Sequence, residues 1–113
     1  MREIAAIVAG TGFEGRDQLI RMRCKQGAAV DLVREPANAH DPNAIAVYLH
    51  STGLFGLIKR RDHIGYVKAS RAAGMANKLD SGSMKVLRCF VASFYAPEND
   101  KIPRVSLTIQ VHP

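Results

Sequence analysis

The chain has no tryptophan, and its aromatic side chains come to three tyrosines and four phenylalanines in 113 residues. A surface that stacks on nucleic-acid bases must therefore be built from one to three rings. Cysteine is nearly as scarce. Cys24 and Cys89 stand alone, without the CxxC or CxH spacing of a metal site, so reduced thiols packed in a core are the expectation, with a disulfide as the alternative. No apolar run approaches the roughly 18 residues that a membrane span needs. Met1 to Ala9 is too short for a signal peptide and carries both charge signs, which points to a cytoplasmic protein with no membrane partner. Acidic residues are the last shortage: 10 Asp and Glu stand against 16 Lys and Arg, a formal net charge of +6. A small domain this basic attracts polyanions, because each neutralised phosphate releases condensed counterions. A surplus of this size also serves solubility alone.

What is present suits one domain over residues 1–113, 47% hydrophobic, with its charges spread along the chain rather than blocked. Glu3 to Ala9 reads as a first strand ended by Gly10-Thr11-Gly12, where glycine permits close backbone approach. From Ile20 to Lys25 two readings compete. Ile20, Met22 and Cys24 alternate with Arg21, Arg23 and Lys25 as in a strand with one cationic face, and a short helix ending at Gly27 fits nearly as well. Ala29 to Arg34 reads as a strand stopped by Pro36. The stretch from Glu35 to Asn43 holds two prolines and two asparagines, the composition of a stiff, turn-rich loop. Ala44 to Leu49 is the next strand. Ser51 to Asp62 reads as a loop or ragged hairpin tip carrying the basic run Lys59-Arg60-Arg61, and His63 to Val67 as a short strand. Ala69, Ala72, Ala73, Ala76 and Leu79 recur at helical spacing up to Gly82. Met84 to Tyr95 and Arg104 to Val111 are the last strands, joined by the polar turn Ala96 to Pro103. The fold class is mainly β with one or two short helices, a small closed or partly open barrel.

Three segments carry a further signal. The run Val30-Asp31-Leu32-Val33-Arg34-Glu35-Pro36-Ala37-Asn38-Ala39-His40-Asp41-Pro42-Asn43-Ala44-Ile45-Ala46-Val47 resembles the central signature of the HIRAN family. Ile64-Gly65-Tyr66-Val67 resembles its second motif, a strand leading into a helix, and Gly10-Thr11-Gly12-Phe13 resembles its first loop. The matches fall in order over residues 8 to 82, and it is their combination that is specific. The resemblance implies an OB-like or SH3-like barrel, found alone or fused to DNA-remodelling helicases and nucleases. It also implies capture of the free 3′ end of single-stranded DNA, in DNA repair and replication.

A reader of 3′ ends must hold phosphates, stack one or two terminal bases, and prefer a terminal hydroxyl to a continuing phosphate. A carboxylate does the last job, since it accepts a hydrogen bond from the hydroxyl and repels a phosphate. Asp41, in the family loop, is the residue that the resemblance assigns to this role; an Asx-turn that shapes the loop is the structural alternative, and the two are compatible. Asn38 would bond a base edge or simply form the turn. His40 stands where the family often has an aromatic, and its imidazole would stack on a base or meet a phosphate, with weaker stacking than a tyrosine. Phe13 matches a stacking aromatic, against plain core packing. Gly12 falls where some members carry a phosphate-binding arginine, a role Arg16 would take over. Tyr66 would line the groove or fill the barrel. Lys68, at a helix start, would share a phosphate with backbone N–H groups. Lys59, Arg60 and Arg61 would extend a phosphate track, or form a solvated loop; no family role transfers to them.

Catalysis finds little support. His40-Asp41 and Asp62-His63 are adjacent pairs without a converging third ligand, and no serine or cysteine lies in an activating motif. The expectation is a single-stranded DNA-binding domain with no cofactor and no metal, any enzymatic step falling to a helicase or nuclease partner. The rival is a protein-interaction or dimerisation module that binds through its edge strands.

Overall fold

Ile4, Ala6 and Val8 are buried while the residues between them are exposed. That period of two belongs to a strand covered on one face, here β1 (Arg2–Ala9). The computed structural model describes residues 1–97 and 101–112. After β1 the chain forms α1 (Arg16–Arg23), β2 (Val30–Arg34), β3 (Ile45–Gly53), β4 (Ile58–Val67), α2 (Ala69–Ser81), β5 (Lys85–Tyr95) and β6 (Arg104–His112). The strands make one antiparallel sheet in the order β2-β3-β4-β1-β6-β5. The protein is thus mainly β with two helices. The edge strands approach each other through one bridge, Ala29 to Phe90, where the Gly27 and Val91 N–H groups donate to the Val91 and Ala28 carbonyls at 2.8 and 3.0 Å. Of the two expected forms of the barrel, this is the open one.

The inner face of the sheet carries the core, with Ile45, Val47, Leu49, Ile64, Leu107 and Ile109 essentially inaccessible. Burying each such side chain contributes about 1.5–3 kcal/mol. Both cysteines lie in this core as free thiols. Burial pushes the Cys24 thiol up to about 11 and the Cys89 thiol up to about 12.

The competing readings of Ile20 to Lys25 resolve in favour of a helix, and the core decides it. Arg16, Ile20 and Cys24 are spaced four apart and all buried, whereas Met22 is 72% exposed. A strand would have placed Met22 beside Ile20 and Cys24. The cationic residues between them are engaged: Arg21 bonds Asp17 one turn away at 2.7 Å, and Arg23 bonds Asp62 of β4 at 2.7 Å.

Of the two readings of Ser51 to Asp62, the hairpin holds and the loop does not, and the tip is shorter than expected. β3 runs on to Gly53 and β4 begins at Ile58, with Thr52 opposite Lys59, Ser51 opposite Arg60 and His50 opposite Arg61. The three cations therefore stand on a strand and not in a loop. Two glycines and a basic run resemble a loop in sequence, but cross-strand pairing satisfies the backbone across a four-residue tip. α2 buries Ala72, Met75 and Ala76 and ends at Gly82, whose φ of 79° suits glycine at a helix C-terminus.

Candidate nucleic-acid interface

Three segments meet at the C-terminal end of β4, and each is held there by its own chemistry. The first is the loop from Glu35 to Ala44. Pro36 and Pro42 fix φ, and the polar side chains close turns. Asn38 Oδ1 accepts hydrogen bonds from the His40 and Asp41 N–H groups at 2.9 and 3.2 Å, and Asp41 Oδ1 accepts from the Asn43 N–H at 2.8 Å. The turn-forming roles of Asn38 and Asp41 are thus realised. The other Asp41 carboxylate oxygen has no hydrogen-bond partner among the described residues.

The second segment is the loop between β1 and α1. Gly10 and Gly15 take left-handed conformations, and so does Glu14 at φ 57°. The loop is pinned from below by the buried Thr11 hydroxyl, which donates to the Pro103 carbonyl at 2.6 Å. Phe13 is left 69% exposed at its crest, so it does not pack in the core. Arg16 is only 8% exposed. Its guanidinium donates to the Gly10 carbonyl and the Glu14 carboxylate, both at 3.0 Å, and lies 5.5 Å from the Tyr66 ring centroid.

The third segment is β4 itself. Val47 pairs with Gly65 and Tyr48 with His63, so Ile64 is an extra residue on β4, a bulge. The bulge brings His63 and Tyr66 to the same side, ring edge to ring face at 4.9 Å, although residues three apart on a regular strand point opposite ways. Gly65 makes the crossing with β1 possible. At φ 150° it lies directly against the Ala9 carbonyl oxygen and the Val8 side chain, where any Cβ would collide.

Between these segments lies a cleft of about 760 Å³ lined by Phe13, Arg16, Asn38, His40, Asp41 and Tyr66, with Glu14, Glu35, His63, Ala69 and neighbouring backbone completing the wall. Six of the residues singled out in the sequence thus converge. Lys68 is exposed just outside: its N–H donates to the Ile7 carbonyl, and its own carbonyl accepts from the Arg71 and Ala72 N–H groups of the first turn of α2. Lys59, Arg60 and Arg61 do not reach the cleft, since they occupy the opposite half of β4.

Two important residues were not among the expected site residues. Glu35 Oε1 accepts from both the Asn38 side-chain amide and the Tyr66 hydroxyl at 3.0 Å, which ties the loop to β4. Burial, then this carboxylate, holds the Tyr66 phenol above its ordinary range. His63 bonds the Gly65 carbonyl at 2.9 Å, and burial, helped by Arg16, lowers its pKa. Glu35 lies within the quoted loop signature, which was the only signal for it; nothing in the sequence announced the bulge that recruits His63.

The cleft is not where the surplus of cations lies. Its lining carries three carboxylates, Glu14, Glu35 and Asp41, against the one guanidinium of Arg16. Such a lining suits a hydroxyl donor and flat rings better than a run of phosphates. Among the described residues no group of three or more His, Cys, Asp or Glu side chains could hold a metal ion, and no helix is long and apolar enough to cross a membrane.

The model of the HIRAN domain matches residues 3–112. No curated protein matches the chain. Two solved structures resemble it: the HIRAN domain of human HLTF (TM-score 0.58, 20% identity, 95% of this chain and 74% of that one) and a protein from Lactobacillus plantarum (TM-score 0.63, 21% identity, 96% of this chain and 97% of that one). At such identities the two likenesses speak for the fold alone.

Proposed function

The chain belongs to the HIRAN domain family, known as a DNA-binding domain, and from that premise we propose that its cleft receives the free 3′ end of a single DNA strand. The observation that carries the reading is the convergence of Asp41, Phe13, His40 and Tyr66 on one cleft. Asp41 already spends one carboxylate oxygen on its own turn. The second oxygen makes no hydrogen bond among the described residues and accepts the 3′-hydroxyl. A phosphate in that place would meet three carboxylates. Phe13, exposed at the loop crest, stacks on the terminal base, and the His40 imidazole takes the second flat contact. Asn38, whose amide oxygen is engaged twice in the loop, acts by holding Asp41 in place. Arg16 orients Tyr66 and the first loop, and Lys68 meets the first phosphate outside, beside the start of α2. The domain itself performs no chemistry on the DNA. It works in repair or replication, where a helicase or nuclease partner supplies that step.

Fluorescence anisotropy with one oligonucleotide ending in a 3′-hydroxyl or a 3′-phosphate, at two salt concentrations, tests this. The hydroxyl form is expected to bind more tightly. Asp41→Asn keeps an oxygen for the Asn43 N–H but removes the charge, and it should narrow the preference about tenfold, in line with the roughly 1.5–3 kcal/mol of a charged hydrogen bond. Phe13→Ala should weaken both forms by about 1–3 kcal/mol, the worth of one stacked base. Equal affinity for the two ends would retire end capture and leave general strand binding standing.

One observation favours a second reading. The edges of β2 and β5 diverge beyond the Ala29–Phe90 bridge and flank a groove of about 410 Å³, and unpaired edges accept added strands. Peptide binding there would hardly respond to salt, whereas phosphate-driven binding weakens steeply.

A further inference from the structure

Resting on the strand-binding reading above, we infer that the DNA site does not end at the cleft but continues along the outer face of β3 and β4 to the tip of their hairpin, where Phe55 provides a second stacking platform. The cleft can hold an end but is poorly furnished for the phosphates behind it. Beyond Lys68, the exposed cations that could hold them stand on β4 itself, farther along.

Alternation along the paired strands puts Tyr48 with His63, His50 with Arg61, and Thr52 with Lys59 on one face. On that face the flat groups touch in sequence. The Arg61 guanidinium lies 4.1 Å from the Tyr48 ring centroid, Tyr48 stacks on His63 at 5.1 Å, and His63 meets Tyr66 in the cleft. A continuous row therefore leads from the cleft to the cations. Arg60 stands on the opposite face with its guanidinium against Gly53, so Lys59 and Arg61 are the phosphate contacts. Among the described residues, the carboxylate that bonds this stretch is Asp31. Its Oδ2 is taken up by His50 at 2.8 Å and Arg61 at 3.1 Å, which leaves Lys59 to supply the unshared charge.

The tip has a second peculiarity. The Gly56 N–H donates to the Gly53 carbonyl at 3.1 Å, and the two residues between them, Leu54 and Phe55, both have left-handed backbones at φ 48° and 56°. Asn and Gly normally fill such a turn, because bulky residues are disfavoured there. Phe55 is nevertheless held wholly in solvent, at 106% exposure. Strain kept at an exposed ring is a mark of use. An apolar tip backed by cations also fits an anionic bilayer, but insertion there reaches only about 5–10 Å. The ten residues of β4 extend about 30 Å. A strand uses that whole length, about nine nucleotides if stacked at roughly 3.4 Å each, and a membrane uses the tip alone.

The test compares a trinucleotide and a twelve-nucleotide oligothymidylate, both with 3′-hydroxyls, on the wild type and on Phe55→Ala/Lys59→Ala. Both replaced side chains are exposed, so unchanged thermal unfolding is expected and serves as the control. The longer strand should bind the wild type at least tenfold more tightly than the trinucleotide. The double variant should lose most of that gain, bind the trinucleotide unchanged, and show a shallower dependence on salt. Equal affinity for both lengths, or a long-strand gain that survives in the variant, overturns the extension. So does binding of phosphatidylserine vesicles that the variant abolishes while its DNA affinity is intact. Should the trinucleotide fail to bind while the longer strand still depends on Phe55 and Lys59, the extension stands and the cleft reading falls.

Discussion

The two ends of β4 are built on opposite terms. At the C-terminal end nearly every polar side chain is committed: Tyr66 to Glu35, Asn38 to the loop backbone, Arg16 to Gly10 and Glu14, His63 to Gly65. At the hairpin end Leu54, Phe55 and Leu57 face solvent and the backbone is strained without being covered. One end is rigid because its contacts over-determine it. The other keeps its shape through the strand ladder that ends at Gly53 and Ile58 and the tight turn beyond it, and this difference separates a site that discriminates from one that grips.

Glycine substitutions should expose that contrast most strongly. Gly65→Ala would drive a Cβ into the Ala9 carbonyl at a backbone angle that side chains avoid. A loss of about 3 kcal/mol or more is expected in urea unfolding, from overpacking and strain together. Gly56→Ala, also at positive φ but with nothing within 4 Å, should cost only about 1–2 kcal/mol. Equal losses would mean that the two ends are equally constrained. A smaller effect is expected from Tyr66→Phe, which removes the hydroxyl bond to Glu35 and should lower stability by about 1 kcal/mol, with 3′-end preference falling alongside. The smallest involves pH. Burial and Arg16 hold the His63 pKa below its ordinary 6.5, so the unfolded chain takes up a proton more readily than the folded one. Stability is therefore full above about pH 6.5 and declines as pH drops from there toward the lower folded value. His63→Phe should flatten that slope between pH 7.5 and 5.5; a slope unchanged from wild type assigns it elsewhere.

Much of this was legible in the sequence, for identifiable reasons. Pro36, Asn38, Asp41 and Pro42 encode their loop through local bonds, so its shape follows from its residues. Strict alternation in β6, with Val105, Leu107, Ile109 and Val111 between polar residues, marks a strand covered on one face, whereas the unbroken apolar run of β1 does not say which side is buried. What was hidden depends on partners distant in the chain. Arg16, Ile20 and Cys24 fit helical spacing only once the core that covers them is known, because Met22 between them mimics a strand. The basic run belongs to β4 only because His50, Ser51 and Thr52 lie opposite. Ile64 gives no local hint of being an inserted residue, and without the bulge His63 would point away from Tyr66. The charge surplus was evident, but its position outside the cleft was not.

The doubly used oxygen of Glu35 has a kinetic consequence. Because it joins the loop to the sheet through two bonds at once, the receptor is already set before any ligand arrives. Little ordering remains to be done on arrival, so correct and incorrect termini should enter at similar rates. Selectivity would then be expressed almost entirely in how long each one stays.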